Sequence, residues 1–135
     1  MSNLPIFDVA GSAMTAQSVR LSTIASNLAN ADSVSGDPNA VFRAKQPVFS
    51  TEAVAGNPAL SGVRVTEVSQ STAAPLKRYE PGHPLADPQG YVYAPDIDPV
   101  AQMVDLISAS RSYQANVEVF NSAKELAMAT LNMGR

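Results

Sequence analysis

The chain has 135 residues, with nine Lys+Arg against 12 Asp+Glu and a formal net charge of −3. That length holds one ordinary domain, and a hydrophobic share of 45 % separates the chain from compositionally disordered sequences. The absence of cysteine excludes disulfide frameworks, zinc–thiolate sites and thiol nucleophiles, and the acidic balance argues against a general binder of nucleic acid or anionic membrane.

The ten prolines divide the chain into two helical ends around a loop-and-strand middle. The spacing predicts a first helix from about Pro5 to about Asn30. Its seam is Phe7, Ala10, Met14, Gln17, Leu21, Ile24 and Leu28, in steps that alternate three and four. Only Asp8 and Arg20 are charged in it. Asn30 is expected to terminate the helix in a left-handed conformation. Asn27 and Asn30 each have two readings, a register-setting polar group in a helix interface or a terminating residue. The first reading is preferred for Asn27 and the second for Asn30. No positive n-region precedes an apolar run near Met1, so no cleavable signal peptide is expected, and no apolar run approaches the roughly 20 residues of a membrane span.

The middle, from about Val41 to Ile97, reads as short strands and turns. Val63–Thr66 alternates as a half-buried strand, and Leu76–Tyr79 and Tyr91–Tyr93 are two further candidates. They are expected to form one small β module, as a bent sheet. His83 with Asp87 gives a hydrolase triad only on paper, because no strained nucleophile motif surrounds a serine. Asp96 and Asp98 as a metal or acid pair compete with a simpler role for Asp98 as a helix cap. Arg43 and Lys45, with Lys77 and Arg78, are too sparse for a nucleic-acid patch.

The last helix is predicted from Asp98 as N-cap, through Pro99 at its first position, to about Met133, with Gly134 just past the end. Its seam is read as Met103, Leu106, Ser110, Tyr113, Val117, Phe120, Lys124, Ala127 and Leu131, widened by Val100, Val104, Ile107 and Met128. No oppositely charged pair stands at i,i+3 or i,i+4, so packing must hold this helix. At 1.5 Å per residue it would be roughly 50 Å long, against a radius of gyration of about 14 Å for a compact domain of this size. The expected architecture is therefore α+β and elongated. Residues 1–31 and 98–135 form a paired, coiled-coil-like helical core, and residues 32–97 form the loop and β module. The remaining helix faces carry Ser, Thr, Ala and Gly instead of Glu and Lys, as suits close approach to further helices. Completion of the packing only within an assembly is the expectation. Candidate assembly residues are Leu21, Ile24, Asn27, Leu28, Asn30, Met103, Leu106, Ile107, Arg111, Tyr113, Asn116, Val117 and Phe120.

Five segments carry a family resemblance: Ile24–Ala31, Phe42–Phe49, Pro81–Asp87, Gly90–Val92 and Ile107–Glu118. In order and over most of the chain, they resemble the flagellar basal-body rod and hook family. Many members continue the first segment with a Thr-Pro-Gly-Tyr turn. Here Asp32–Pro38 is a longer polar loop, similar to the proximal-rod branch. The resemblance implies a subunit of the hollow shaft that crosses the periplasm, transmits torque and passes exported subunits. It implies as partners the chain itself, the proximal rod proteins FlgB and FlgF, the membrane-ring adaptor FliE, the distal rod protein FlgG and the flagellar type III export apparatus. Neither nucleic acid nor membrane insertion is expected, nor any catalytic, metal or cofactor site. The rivals are a soluble helical adaptor or chaperone of a type III secretion system, and an envelope enzyme that cuts peptidoglycan.

Overall fold

The structure, a computed structural model, describes residues 5–134. Residues 1–4 and 135, which belong to the expected terminal segments 1–31 and 98–135, lie outside the described residues. Two long helices stand at the ends of an α+β chain: α1, Pro5–Ala29, and α2, Pro99–Met133. Between them come four strands: β1, Lys45–Val54; β2, Asn57–Gln70; β3, Leu76–Tyr79; and β4, Tyr91–Ala94.

The α2 start is built as its sequence predicts. Asp98 is extended, its carboxylate accepts from the Val100 N–H at 2.9 Å, and Pro99 stands in the first turn, where its missing donor costs nothing. The helix ends differ from expectation. No described non-glycine residue has a positive φ, so Asn30 is not a left-handed cap. Its side-chain amide instead donates to the Ser26 carbonyl at 2.8 Å, a second bond to an oxygen that also accepts from the Asn30 N–H at 3.2 Å. Tight backbone bonds from Ala31 to Leu28 and from Ser33 to Asn30 then unwind the helix in two short steps. Gly134 has φ −87°, so its helix also ends without a left-handed glycine.

The β residues do not form one bent sheet. β1 and β2 make a long antiparallel hairpin, and β3 and β4 make a separate antiparallel pair. β1 escapes a sequence reading because Pro47 lies inside it. The Lys45 N–H and C=O point at α1, away from β2. Two residues on, the Pro47 nitrogen faces the same open edge, where no ladder bond is lost. The hairpin lies along α1. Val63 N–H donates to Ser12 Oγ at 3.1 Å, and Ser12 Oγ donates in turn to the Val9 carbonyl at 2.8 Å. Gly62 permits that approach, since a Cβ there would stand 2.7 Å from Ser12 Oγ. The second pair gathers the loop around Ser35, which exchanges two backbone bonds with Tyr93 at 2.9 and 2.8 Å. Its core is small: Val92, fully buried, with Val41 and Ala94.

α1 is thus packed between the β1–β2 hairpin and α2, whereas α2 packs among the described helices and strands against α1 alone. The buried apolar positions of the helical core are Ala10, Ala16, Ile24, Ala109 and Ala123, nearly all alanine. Alanine permits close backbone approach and buries little area, so packing here yields far less than the ~1.5–3 kcal/mol of each fully buried large side chain.

Candidate assembly interface

The two helices run antiparallel. Phe7 meets Phe120 edge-to-face with ring centroids 4.9 Å apart, and Asn27 meets Gln102 at the other end. Between them Arg20 reaches Asp105 at 3.5 Å. That pair is well exposed and contributes little net stability.

Asn27 ties three elements together. It is 3 % exposed. Its Oδ1 accepts from the Lys45 N–H at 2.8 Å, and its Nδ2 donates to the Lys45 carbonyl at 2.8 Å and to Gln102 Oε1 at 3.0 Å. The carboxamide satisfies the open edge of β1 as a neighbouring strand would, and fixes the start of α2 with the same group. The sequence signals Asn27 only as a polar group beside the seam residue Leu28. It gives no sign of Lys45 or Gln102, because their roles depend on where β1 begins.

The face of α2 that meets α1 differs from the seam read from the sequence. The covered positions are Gln102, Leu106, Ala109, Tyr113, Asn116, Phe120, Ala123 and Ala127, again in steps of four and three. Four of them, Leu106, Tyr113, Phe120 and Ala127, belong to both seams. At the alternate levels the structure places Gln102, Ala109, Asn116 and Ala123 inward, one residue before the expected Met103, Ser110, Val117 and Lys124. Ala109 is fully buried, and its small side chain permits close approach of the two backbones there. Met103, Lys124 and Leu131 consequently turn outward, and Ser110 and Val117 flank the seam half-buried.

The candidate residues therefore divide by face. Ile24 and Asn27 are buried inside the chain. Leu21, Leu28, Asn30, Leu106, Tyr113, Asn116, Val117 and Phe120 are half-buried, with the Asn116 amide donating to the Ser112 carbonyl at 2.8 Å. Met103, Ile107 and Arg111 stand exposed on the far side of α2. With them are Val100 and Val104, and the four apolar residues Val100, Met103, Val104 and Ile107 are 54–69 % exposed. Leu126, Met128, Leu131 and Met133 form a second exposed group, 55–82 % exposed, at the other end of the helix. Along the α1–α2 junction, Gly11, Met14, Thr15, Ser18 and Val19 of α1 and Tyr113 and Phe120 of α2 line an apolar groove of about 420 Å³. Gln17 Oε1 is buried in the junction without a hydrogen-bond partner among the described residues.

Of the residues considered for chemistry, His83, Asp87 and Asp98 are occupied structurally. His83 Nδ1 accepts from the Leu85 N–H at 3.1 Å. Asp87 Oδ1 accepts from the N–H groups of Gln89 and Tyr91, both at 2.9 Å, and the Tyr93 hydroxyl donates to Oδ2 at 3.4 Å. The Tyr91 N–H bond is the main reason that the Asp87 carboxyl titrates below its usual range. Partial desolvation opposes it, and the Gln89 N–H, Lys77 and the Tyr93 hydroxyl add to it. Asp98 is the cap of α2. Among the described residues no group of three or more His, Asp or Glu is placed to hold a metal ion, and no helix is long and apolar enough to cross a membrane.

Comparison with known proteins matches both ends of the chain to flagellar families. Residues 7–36 match the family described as flagella basal body rod protein, and residues 89–133 match that described as flagellar basal body rod FlgEFG protein C-terminal. Among curated proteins, the chain is 55 % identical to the flagellar basal-body rod protein FlgC of Escherichia coli O157:H7 over 135 residues, covering all of both chains. It is 53 % identical, again over both full lengths, to the protein of that name from Salmonella typhimurium. The Aquifex aeolicus protein of the same name is 41 % identical over 88 % of this chain and 87 % of its own.

Proposed function

Because the chain belongs to the FlgC family of flagellar basal-body rod proteins, we propose that it builds the proximal part of the rod, as one piece of the hollow shaft that transmits torque and passes exported subunits. It is a structural subunit of the basal-body rod, and it assembles with other rod proteins. The observation that carries the mechanical reading is α2: about 52 Å of helix at 1.5 Å per residue, covered by α1 on one side and apolar at both ends of its free surface. Apolar faces on a rod are interaction surfaces. Contacts between unlike faces propagate from subunit to subunit and do not close.

In this reading segments 1–31 and 98–135 are the axial core and 32–97 the outward part. Met103, Ile107 and Arg111 meet neighbours. Ile24, Asn27, Leu106 and Phe120 hold the two helices in the shape that neighbours recognise. Leu21, Leu28, Asn30, Tyr113, Asn116 and Val117 lie at the junction rim, where one side chain touches both its own partner helix and the next subunit. The immediate partners are FlgB, FlgF, FliE and FlgG. The chain reaches the periplasm through the flagellar type III export apparatus without a cleaved signal peptide, and its role is mechanical and not catalytic. Its alanine core suits that route, since a marginal monomer unfolds readily for passage and completes its packing on the growing tip. A secretion adaptor or chaperone is not favoured, given the full-length match to rod proteins.

The test is a deletion strain complemented with the tagged chain. Basal bodies isolated from it should contain the tagged chain, and the uncomplemented strain should lack hooks and swimming. Hooked, motile cells without the protein would refute the role.

A further inference from the structure

Large exposed apolar side chains on α2 are concentrated at its two ends. Val100, Met103, Val104 and Ile107 lie in the first turns and Leu126, Met128, Leu131 and Met133 in the last. Of the exposed large apolar residues, only Val119 lies between them. The free surface there carries Arg111, Gln114, Glu118, Ser122 and Glu125. At the first end, Val100, Val104 and Ile107 recur at helical spacing on the side of α2 opposite Ala109, away from α1, and among the described elements α2 packs against α1 alone. The last end runs past the level of Pro5, the first described residue of α1, since Phe7 lies beside Phe120.

We infer that these two patches are the two halves of one contact. The last turns of α2 in one subunit seat against the first turns of the corresponding C-terminal helix in the next subunit, the two helices running parallel. This rests on the rod-subunit reading and names the face and register through which the rod grows. Three observations select that occupant. Both patches are built of large apolar side chains. Asp105, the charged residue within the first, turns to Arg20 of α1, and Arg111, Lys124 and Glu125 bound the patches on their inner sides, so an overlap of end on start buries no unpaired charge. Parallel overlap brings the partly negative C-terminal end of one helix beside the partly positive N-terminal end of the next, which favours the pairing. Third, the family segment matched at residues 89–133 contains all of α2 and is one that FlgE, FlgF and FlgG share, so neighbours of different kinds present a helix of the same family at the same place. Pairing either patch with itself would close after two subunits and stop growth.

The register is specific. Val100 to Leu126 is 26 residues, so subunits joined this way repeat along the axis at roughly 39 Å at 1.5 Å per residue. Four side chains a side fall well short of the ~800 Å² per partner of a standard interface. The contact is therefore weak for two free subunits and holds only where other neighbours add to it, as at a growing tip.

The test uses a photo-reactive phenylalanine placed singly at Val104, Leu131 or Ser122 in the full chain, irradiation of isolated basal bodies, and mass spectrometry of the joined peptides. The Leu131 probe should capture the first three turns of a neighbour's C-terminal helix. The Val104 probe should capture the last two turns of such a helix, and both should give several-fold more product than Ser122. Capture of an N-terminal helix by Leu131, or of position 104 by the Val104 probe, overturns the register and leaves the rod reading intact. Equal yields from all three probes overturn it as well. Absence of the probe-free tagged chain from basal bodies would overturn the rod reading itself.

Discussion

Replacing Asn27 with alanine isolates the link that joins α1, β1 and α2. The substitution removes two bonds of 2.8 Å to the Lys45 backbone and one of 3.0 Å to Gln102, from a side chain that is 3 % exposed. A net hydrogen bond is worth about 0.5–1.5 kcal/mol, and a buried backbone group left without a partner costs about 1–3 kcal/mol. Lys45 is only half-buried, so water replaces part of the loss. The expected destabilisation is about 2–4 kcal/mol, a factor of roughly 30 to 700 in the opening equilibrium at 1.4 kcal/mol per tenfold. Amide hydrogen exchange reads it directly on the purified full chain. Protection at Lys45 should fall most, protection along β1 and β2 should fall with it, and the limit is the protection that the wild-type opening allows. Amides of β3 and β4, which pack against neither helix, should exchange as before. If Lys45 protection stays within about twofold while the variant remains helical, the link does not hold the hairpin and the argument fails.

The other predictions concern packing, charge and assembly. Gly62→Ala puts a Cβ 2.7 Å from Ser12 Oγ, which two hydrogen bonds hold in place. It should cost about 1–3 kcal/mol and raise hairpin exchange without altering β3–β4. Gly36→Ala puts a Cβ 2.5 Å from the Leu85 carbonyl oxygen, a backbone atom that cannot rotate away, so the loop over residues 80–90 should lose protection in the same assay. Asp87 has its folded carboxyl pKa lowered, so its contribution is present above the unfolded value of about 3.9 and is lost as pH falls through the lower, folded value. The Tyr91 amide resonance should therefore shift on acidification below about pH 4, and Asp87→Asn should abolish that titration. Ile107→Glu changes a side chain already 58 % exposed. Circular dichroism should show wild-type helix content, with a stability change within about 0.5 kcal/mol, while complementation of swimming is lost. Normal swimming by that variant would remove Ile107 from the assembly surface.

The sequence alone determined the helical ends and their bounds, since periodicity, the Asp98–Pro99 start and the distribution of proline are local properties. It also determined the family, through segments spread along the whole chain, and β3, β4 and the centre of β2 through alternation and turn residues. Tertiary structure decided the rest. β1 hides behind Pro47, whose tolerance depends on which edge of the strand is open. Asn27 becomes a junction only when β1 and α2 arrive beside it. The inward face of α2 was settled by packing: α1 covers Ala109 and Ala123 and leaves Met103 outside, while Leu131 lies beyond the level of Pro5. Hydrophobicity along a chain says which side chains favour burial. Which of them the chain itself buries, and which it leaves for a neighbour, follows from how near the backbones come.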